Sequence, residues 1–338
     1  MQYISFIPAE LNEILSQYGL SWPKHLPMAA SGGEYRSLEE ICDWHHVDPK
    51  QIPFAELFEL LVKGQQFCTV TRIARRQIND RWQVYQLESK TTWIVAFSQS
   101  EGLIDLCWFE DEAAFWQWLV ADYQNFSLPE IPEMELANIS TMEWALQAAF
   151  CDQFLRMYPN PDINWMPDQL LVFTLASLKA DYQQSGGWTE GWNQLLPLPT
   201  FSEEDWKETI LTWCNKGYLA KLDMPDGTDV FMIVNNWLWL IRSMAWWDKG
   251  FSISLAGRKE ELLFLQASAL WAIATDGDRF DVAAIEGPKI KRLIEGYLDR
   301  KIPSTKASKK ETTTQFCPEC GKAVGAKDKF CRSCGAKL

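Results

Sequence analysis

Four cysteines near the end of the chain constrain its folding most. Cys317 and Cys320 form one C-x-x-C pair, and Cys331 and Cys334 form a second, with ten residues between the pairs. Each pair wraps one side of a metal, and four thiolates make the tetrahedral sulfur site that Zn²⁺ takes at about 2.3 Å. Gly321 and Gly335 each follow the second cysteine of a pair. A residue free to adopt positive φ there lets the chain turn and aim N–H groups at the sulfurs. Lys322, Lys329 and Arg332 offset the negative charge that four thiolates leave on a divalent ion. Such a site has no open coordination position, so one Zn²⁺ is expected in a structural role. A segment this short folds only with its metal, and it has room for one small hairpin across 323–325.

Residues 316–338 resemble the short zinc-ribbon modules found at the ends of many prokaryotic proteins. The preceding stretch, 300–315, is rich in Ser, Thr, Lys and Pro and reads as a flexible tether. The charge divides at about the same place. From Lys289 onward 13 Lys and Arg stand against five acids, so this end carries +8 and the remainder −21 of the net −13. An acidic body is a poor phosphate binder, because nucleic-acid affinity is mostly charge neutralisation. Nucleic acid is therefore expected to meet the basic tail only.

The body is unusually aromatic, with 18 Trp, 18 Phe and 9 Tyr. That excludes a solvated, disordered acidic chain. The start, MQYISFIPAELNEIL, has neither the cationic opening nor the apolar run of a signal peptide. The most apolar stretch, 232–247, is interrupted by Asn235, Asn236 and Arg242 and is shorter than the ~20 residues of a spanning helix. A soluble, cytoplasmic protein is expected. Cys42, Cys68, Cys107, Cys151 and Cys214 then read as reduced core residues.

Local patterns place helices at 8–18, 37–46 and 54–63, four strands between 67 and 108, and a helix at 110–123. Ser37/Glu40, Ser140/Glu143 and Ser202/Asp205 are capping signatures for three helices. Helices are also expected at 140–158, 168–184 and 202–216. After Gly217 strands are expected at 218–222, 229–234, 237–244 and 251–255, then helices at 258–274 and 288–298. The short strand loops require antiparallel pairing. The element order recurs, with Lys63-Gly64 matched to Lys216-Gly217 and Gly102 to Gly250. The expected fold is α+β: antiparallel sheets with flanking helices in two similar halves, 1–138 and 139–299, which stand apart or form one body. A linker at 300–315 and the ribbon at 316–338 follow.

Other candidate sites are sparse. Only three histidines exist, His25, His45 and His46. Cys42-x-x-His45-His46 has ligand-like spacing but no second pair nearby, and a helix end explains it as well. No phosphate-binding or nucleophile-elbow motif occurs, so no catalytic residue is assigned. Trp188 and Trp192, in the Gly/Ser-rich run SGGWTEGWN, are the candidate partner-binding residues, since Trp is enriched in binding hot spots. The helix at 202–216 and the hairpin tipped by 225–227 have the order of a winged helix, yet carry more acids than bases.

The body resembles the cytosolic substrate-binding chaperones of type VII (ESX) secretion. The segments AELNEILSQYGLSWPKHLP and ELFELLVKG and the two helix–sheet–helix halves carry the likeness. The resemblance implies a quasi-twofold α+β body that binds helical secretion substrates. The function expected is thus a non-enzymatic, chaperone-like adaptor for a protein partner. A nucleic-acid-associated regulator is the alternative.

Overall fold

Four β-rich runs joined by short polar loops fold as a meander, and the chain makes one twice. In the computed structural model the described residues are 3–26, 35–74, 77–87, 90–100, 102–125, 135–157, 172–183, 188–193, 198–298, 315–316 and 323–324. They form two compact units, Met1–Tyr297 and Leu298–Leu338.

The first half of the larger unit runs β1 (Tyr3–Phe6), α1 (Pro8–Gln17), α2 (Leu38–Trp44) and α3 (Phe54–Lys63). The meander β2 (Gln65–Ala74), β3 (Gln77–Leu87), β4 (Lys90–Ser100) and β5 (Leu103–Phe109) follows. Helix α4 (Glu112–Val120) and a 3₁₀ turn (Ala121–Tyr123) close the half. The second half begins with β6 (Glu135–Ser140), α5 (Thr141–Met157), β7 (Val172–Thr174), α6 (Leu175–Gln183) and α7 (Trp188–Asn193). It continues through α8 (Glu203–Asn215), β8 (Leu219–Asp223), β9 (Asp229–Ile233) and α9 (Asn235–Ala245). The second meander is β10 (Lys249–Leu255), β11 (Glu261–Gln266), β12 (Leu270–Asp276) and β13 (Arg279–Ile285), followed by α10 (Lys289–Leu298).

Ten strands join in one antiparallel sheet, ordered β1-β5-β4-β3-β2-β10-β11-β12-β13-β6. Each half places its lone first strand at an outer edge, against the last strand of its own meander. The first meander strands, β2 and β10, meet at the centre with Thr71 opposite Ser252. The fold is therefore α+β in two similar halves, as the sequence predicts. The repeat lies elsewhere, however: the partner of the first meander is 249–285, not 218–255.

The helix expected at 258–274 is instead the strand pair β11 and β12. Both are buried on both faces, and a continuous apolar run does not distinguish a buried strand from a buried helix. The strand expected at 237–244 is instead α9. Trp237, Ile241 and Met244 are buried at helical spacing, and that packing outweighs the β-propensity of Trp and Ile. The edge strands β1 and β6 escape sequence reading because each is a short run abutting a helix.

Directly opposed residues share a sheet face, so one row of side chains can be followed from edge to edge. It begins with Ile4 and Leu106, continues beyond β4 through the polar residues Gln83, Thr69, Ser254, Glu261 and Thr275, and ends at Phe280 and Ile139. Ile4 and Leu106 belong to a core built with α1–α3. Phe280 and Ile139 belong to a second core built with α5–α9. One face thus carries two separate helix-covered cores, divided by a polar strip at the central seam.

The helix starts repeat as well. Glu10, in the first turn after β1, accepts from the N–H of Ile7 and pairs with Arg36 at 2.7 Å. Glu143, in the first turn after β6, accepts from the N–H of Ser140 and pairs with Lys216. Both glutamates are buried. Burial alone would favour their neutral forms. The cation and N–H contacts outweigh it and hold both carboxyls below the usual range.

Candidate metal centre and partner surface

In the smaller unit, Gln315–Phe316 pairs antiparallel with Ala323–Val324. The intervening chain, 317–322, carries Cys317 and Cys320. The hairpin is therefore offset from the expected one: it brackets the first C-x-x-C and does not lie between the pairs. Cys317, Cys320, Cys331 and Cys334 lie outside the described residues. Their donor set still fits zinc, because four soft thiolates in two C-x-x-C pairs satisfy its tetrahedral preference without another ligand.

Trp192 does not stand at a surface. It is fully buried, with its ring 4.8 Å from that of Trp144. The described part of that run, Trp188–Asn193, forms helix α7 on the flank of α5. The Asp152 carboxylate on α5 accepts from the N–H of Thr189 at 3.0 Å and from its hydroxyl. Thr189 and Trp192, three apart, face the core together, and that helical spacing is the signal that opposes a loop reading. The side chain of Trp188, at the start of α7, lies outside the described residues.

The Cys42/His45/His46 group takes the helix-end reading. Cys42 is fully buried, and burial, with Asp43, Asp48 and Glu39 around it, raises its thiol pKa. His45 Nε2 accepts from the N–H of Ser5 at 3.1 Å, which occupies its lone pair and caps an outward N–H of edge strand β1. His46 has φ of 56° just past the end of α2. Among the described residues no group of three or more His, Cys, Asp and Glu could hold a metal. Cys42, Cys68, Cys107, Cys151 and Cys214 form no disulfide; the first four are buried and Cys214 is half-buried.

The winged-helix order suggested by the sequence is formed. β7, β9 and β8 make a three-stranded sheet in that order, with α6 and α8 between β7 and β8. The outer stripe of α8 comprises Glu203, Glu204, Lys207, Glu208, Leu211 and Asn215, all exposed. Leu211 is 58% exposed, out of phase with the buried Trp206, Ile210 and Trp213. Lys207 is 3.9 Å from Glu203, and Lys221 on β8 pairs with Asp229 at 2.5 Å. Asp223, Asp226 and the exposed Met224 complete the hairpin tip. Beside α8 a cleft of about 220 Å³ is lined by Ser140, Met142, Glu143, Asp205, Glu208, Thr209 and Thr212. This surface is acidic with apolar points, which disfavours phosphate.

The polar strip also carries charged residues. Glu261 is half-buried, and that burial raises its pKa although the Ser252 hydroxyl and Arg81 pull it back. Arg81 in turn approaches the Thr71 hydroxyl at 3.4 Å. Among the described residues no helix is long and apolar enough to cross a membrane.

No curated protein matches the chain, so the resemblance of the body to the type VII secretion chaperones finds no support there. The tail is different: residues 316–338 match the family model of the zinc-ribbon domain, and zinc binding follows from that match.

Proposed function

We propose that the protein is a non-enzymatic, chaperone-like adaptor that grips a basic segment of a protein partner. Its zinc ribbon, joined through the Lys- and Ser-rich linker, supplies a second contact. The observation that carries this reading is the outer face of α8. A winged-helix element that bound nucleic acid would present cations there. This one presents Glu203, Glu204 and Glu208 around the exposed Leu211. Exposed apolar residues within a polar rim are the composition of protein interfaces.

The test is affinity capture with the full chain, compared with Leu211→Asp and with a form ending at residue 299. A reproducible partner retained by the full chain and weakened about tenfold, or about 1.4 kcal/mol, by Leu211→Asp supports the reading. Equal retention by both variants defeats it. Salt-sensitive duplex binding that vanishes on removing 300–338 would favour the nucleic-acid alternative through the basic tail.

A further inference from the structure

The two meanders end alike but are closed differently. In the second half, α10 carries Tyr297 back over the β10–β11 connection. Its hydroxyl donates to the Glu260 carbonyl at 2.7 Å, and its own carbonyl accepts from Arg258 Nη1 at 3.4 Å. Arg258 lies 3.6 Å from the Glu260 carboxylate and is largely buried. That contact is complete within the chain.

The counterpart in the first half is Tyr123, at the end of the turn after α4. Its backbone is held closely: a Cβ on Gly287 would come within 1.9 Å of the Tyr123 carbonyl oxygen. Its ring is buried 5.2 Å from Phe251 on β10. Among the described residues nothing pairs with its hydroxyl. Where the second half has its own arginine, the first half has a cleft of about 200 Å³ at the β2–β10 seam. Arg72, Trp118, Asp122, Tyr123, Lys249 and Phe251 are among its lining residues.

The charges in this cleft are placed unevenly. The Arg72 guanidinium lies over the Trp118 ring at 5.4 Å and is 3.8 Å from Asp80. Both Asp80 oxygens are already engaged, by Asn79 Nδ2 and Trp82 Nε1 at 2.8 Å each. Lys249 Nζ lies over the Tyr123 ring at 5.7 Å and forms no ion pair among the described residues. Asp122 is exposed. Burial raises the pKa of the Tyr123 phenol, although Arg72 opposes this, so it remains a hydrogen-bond donor at neutral pH.

We propose that this cleft binds a compact oxyanion, a carboxylate or a phosphate. Lys249 and Arg72 supply the charge, the Tyr123 hydroxyl donates one hydrogen bond, and Trp118 and Phe251 contact the group that carries the anion. A charge-assisted contact of this kind is stronger than a neutral one.

The test is calorimetric titration of the full chain with sodium phosphate and, separately, sodium acetate at fixed ionic strength. Saturable binding in the millimolar range is expected for one or both probes. Phosphate alone identifies a phosphate group, and acetate alone a carboxylate. Lys249→Met should weaken binding about tenfold and Tyr123→Phe several-fold. Tyr123→Phe keeps the buried ring, so its fold is expected to hold, and melting curves check both variants. No saturable heat from either probe up to about 50 mM, or the same affinity in folded variants and parent, overturns the proposal.

Discussion

The two halves share a strand order and a glutamate-capped helix after each edge strand, yet they cover their sheet with different material. The first half uses α1–α3, with Phe6, Phe54, Phe58, Tyr85 and aliphatic residues in its core and Trp22 and Trp108 packed at its margin. The second inserts the α5–α9 lobe, whose core holds Trp144, Trp192, Trp206, Trp213, Trp237, Trp247 and Trp271. The difference shows where the aromatic richness goes. A helix such as α5, buried along nearly its whole length, needs large side chains around it to exclude water, and tryptophan fills the most space per residue. The first half covers its face with amphipathic helices, which need smaller fillers.

The largest way to break this comparison is to empty each core. Trp213→Ala and Phe58→Ala should each cost about 3–5 kcal/mol. Because β2 and β10 join the halves in one sheet, calorimetry should show a single body transition moving down in both variants. A transition that splits in either variant would show that the halves unfold separately.

The capping glutamates test whether the halves are matched in electrostatics. Glu10→Gln and Glu143→Gln should each cost about 1–3 kcal/mol at neutral pH, the range for a charged hydrogen bond lost on burial. Both carboxyls have lowered folded-state pKa values. Their stabilisation is therefore present above the unfolded-state value, near 4.3, and is lost as pH falls through the folded-state values. Acid titration followed by circular dichroism should show a shallower low-pH loss in each variant. Equal slopes in parent and variants would remove these glutamates from the acid response.

The ribbon provides a third comparison, between a metal-folded tail and a body that folds on its own core. Cys334→Ser should abolish retention of zinc, measured by metal analysis, and leave the body melting temperature within about 1–2 °C. A larger fall would show that the ribbon stabilises the body.

The smallest expected effect is Trp44→Ala. Trp44 is 72% exposed, with the Arg36 guanidinium 5.8 Å from its ring. Its loss should cost about 0.5–1 kcal/mol, measured by denaturant titration, far less than at Trp213. Exposure, not residue type, separates the two.

Legibility in the sequence followed the reach of the forces involved. The capping pairs at Ser37, Ser140 and Ser202 and the first four meander strands were readable, because capping and short-period alternation act over a few residues. The α9 and β11–β12 segments were misread. Trp237–Met244 and Glu261–Thr275 are apolar enough to suit either state, and only their surroundings choose. Trp192 was misplaced for a related reason, since its burial depends on Asp152, far away in the chain, holding Thr189. Leu211 was readable in principle, as it falls out of phase with Trp206, Ile210 and Trp213.

The sequence by itself determined the zinc-ribbon tail, the division of charge between body and tail, and the α+β class. Each depends on composition or on contacts between near neighbours. Only the tertiary structure decided the ten-strand order, the polar strip between two cores, the acidic face of α8 and the open cleft beside Tyr123. Those features arise where β2 meets β10 and where helices of one lobe pack on distant strands. Pairing over such separations is selected by the burial of whole faces, which no local stretch of sequence contains.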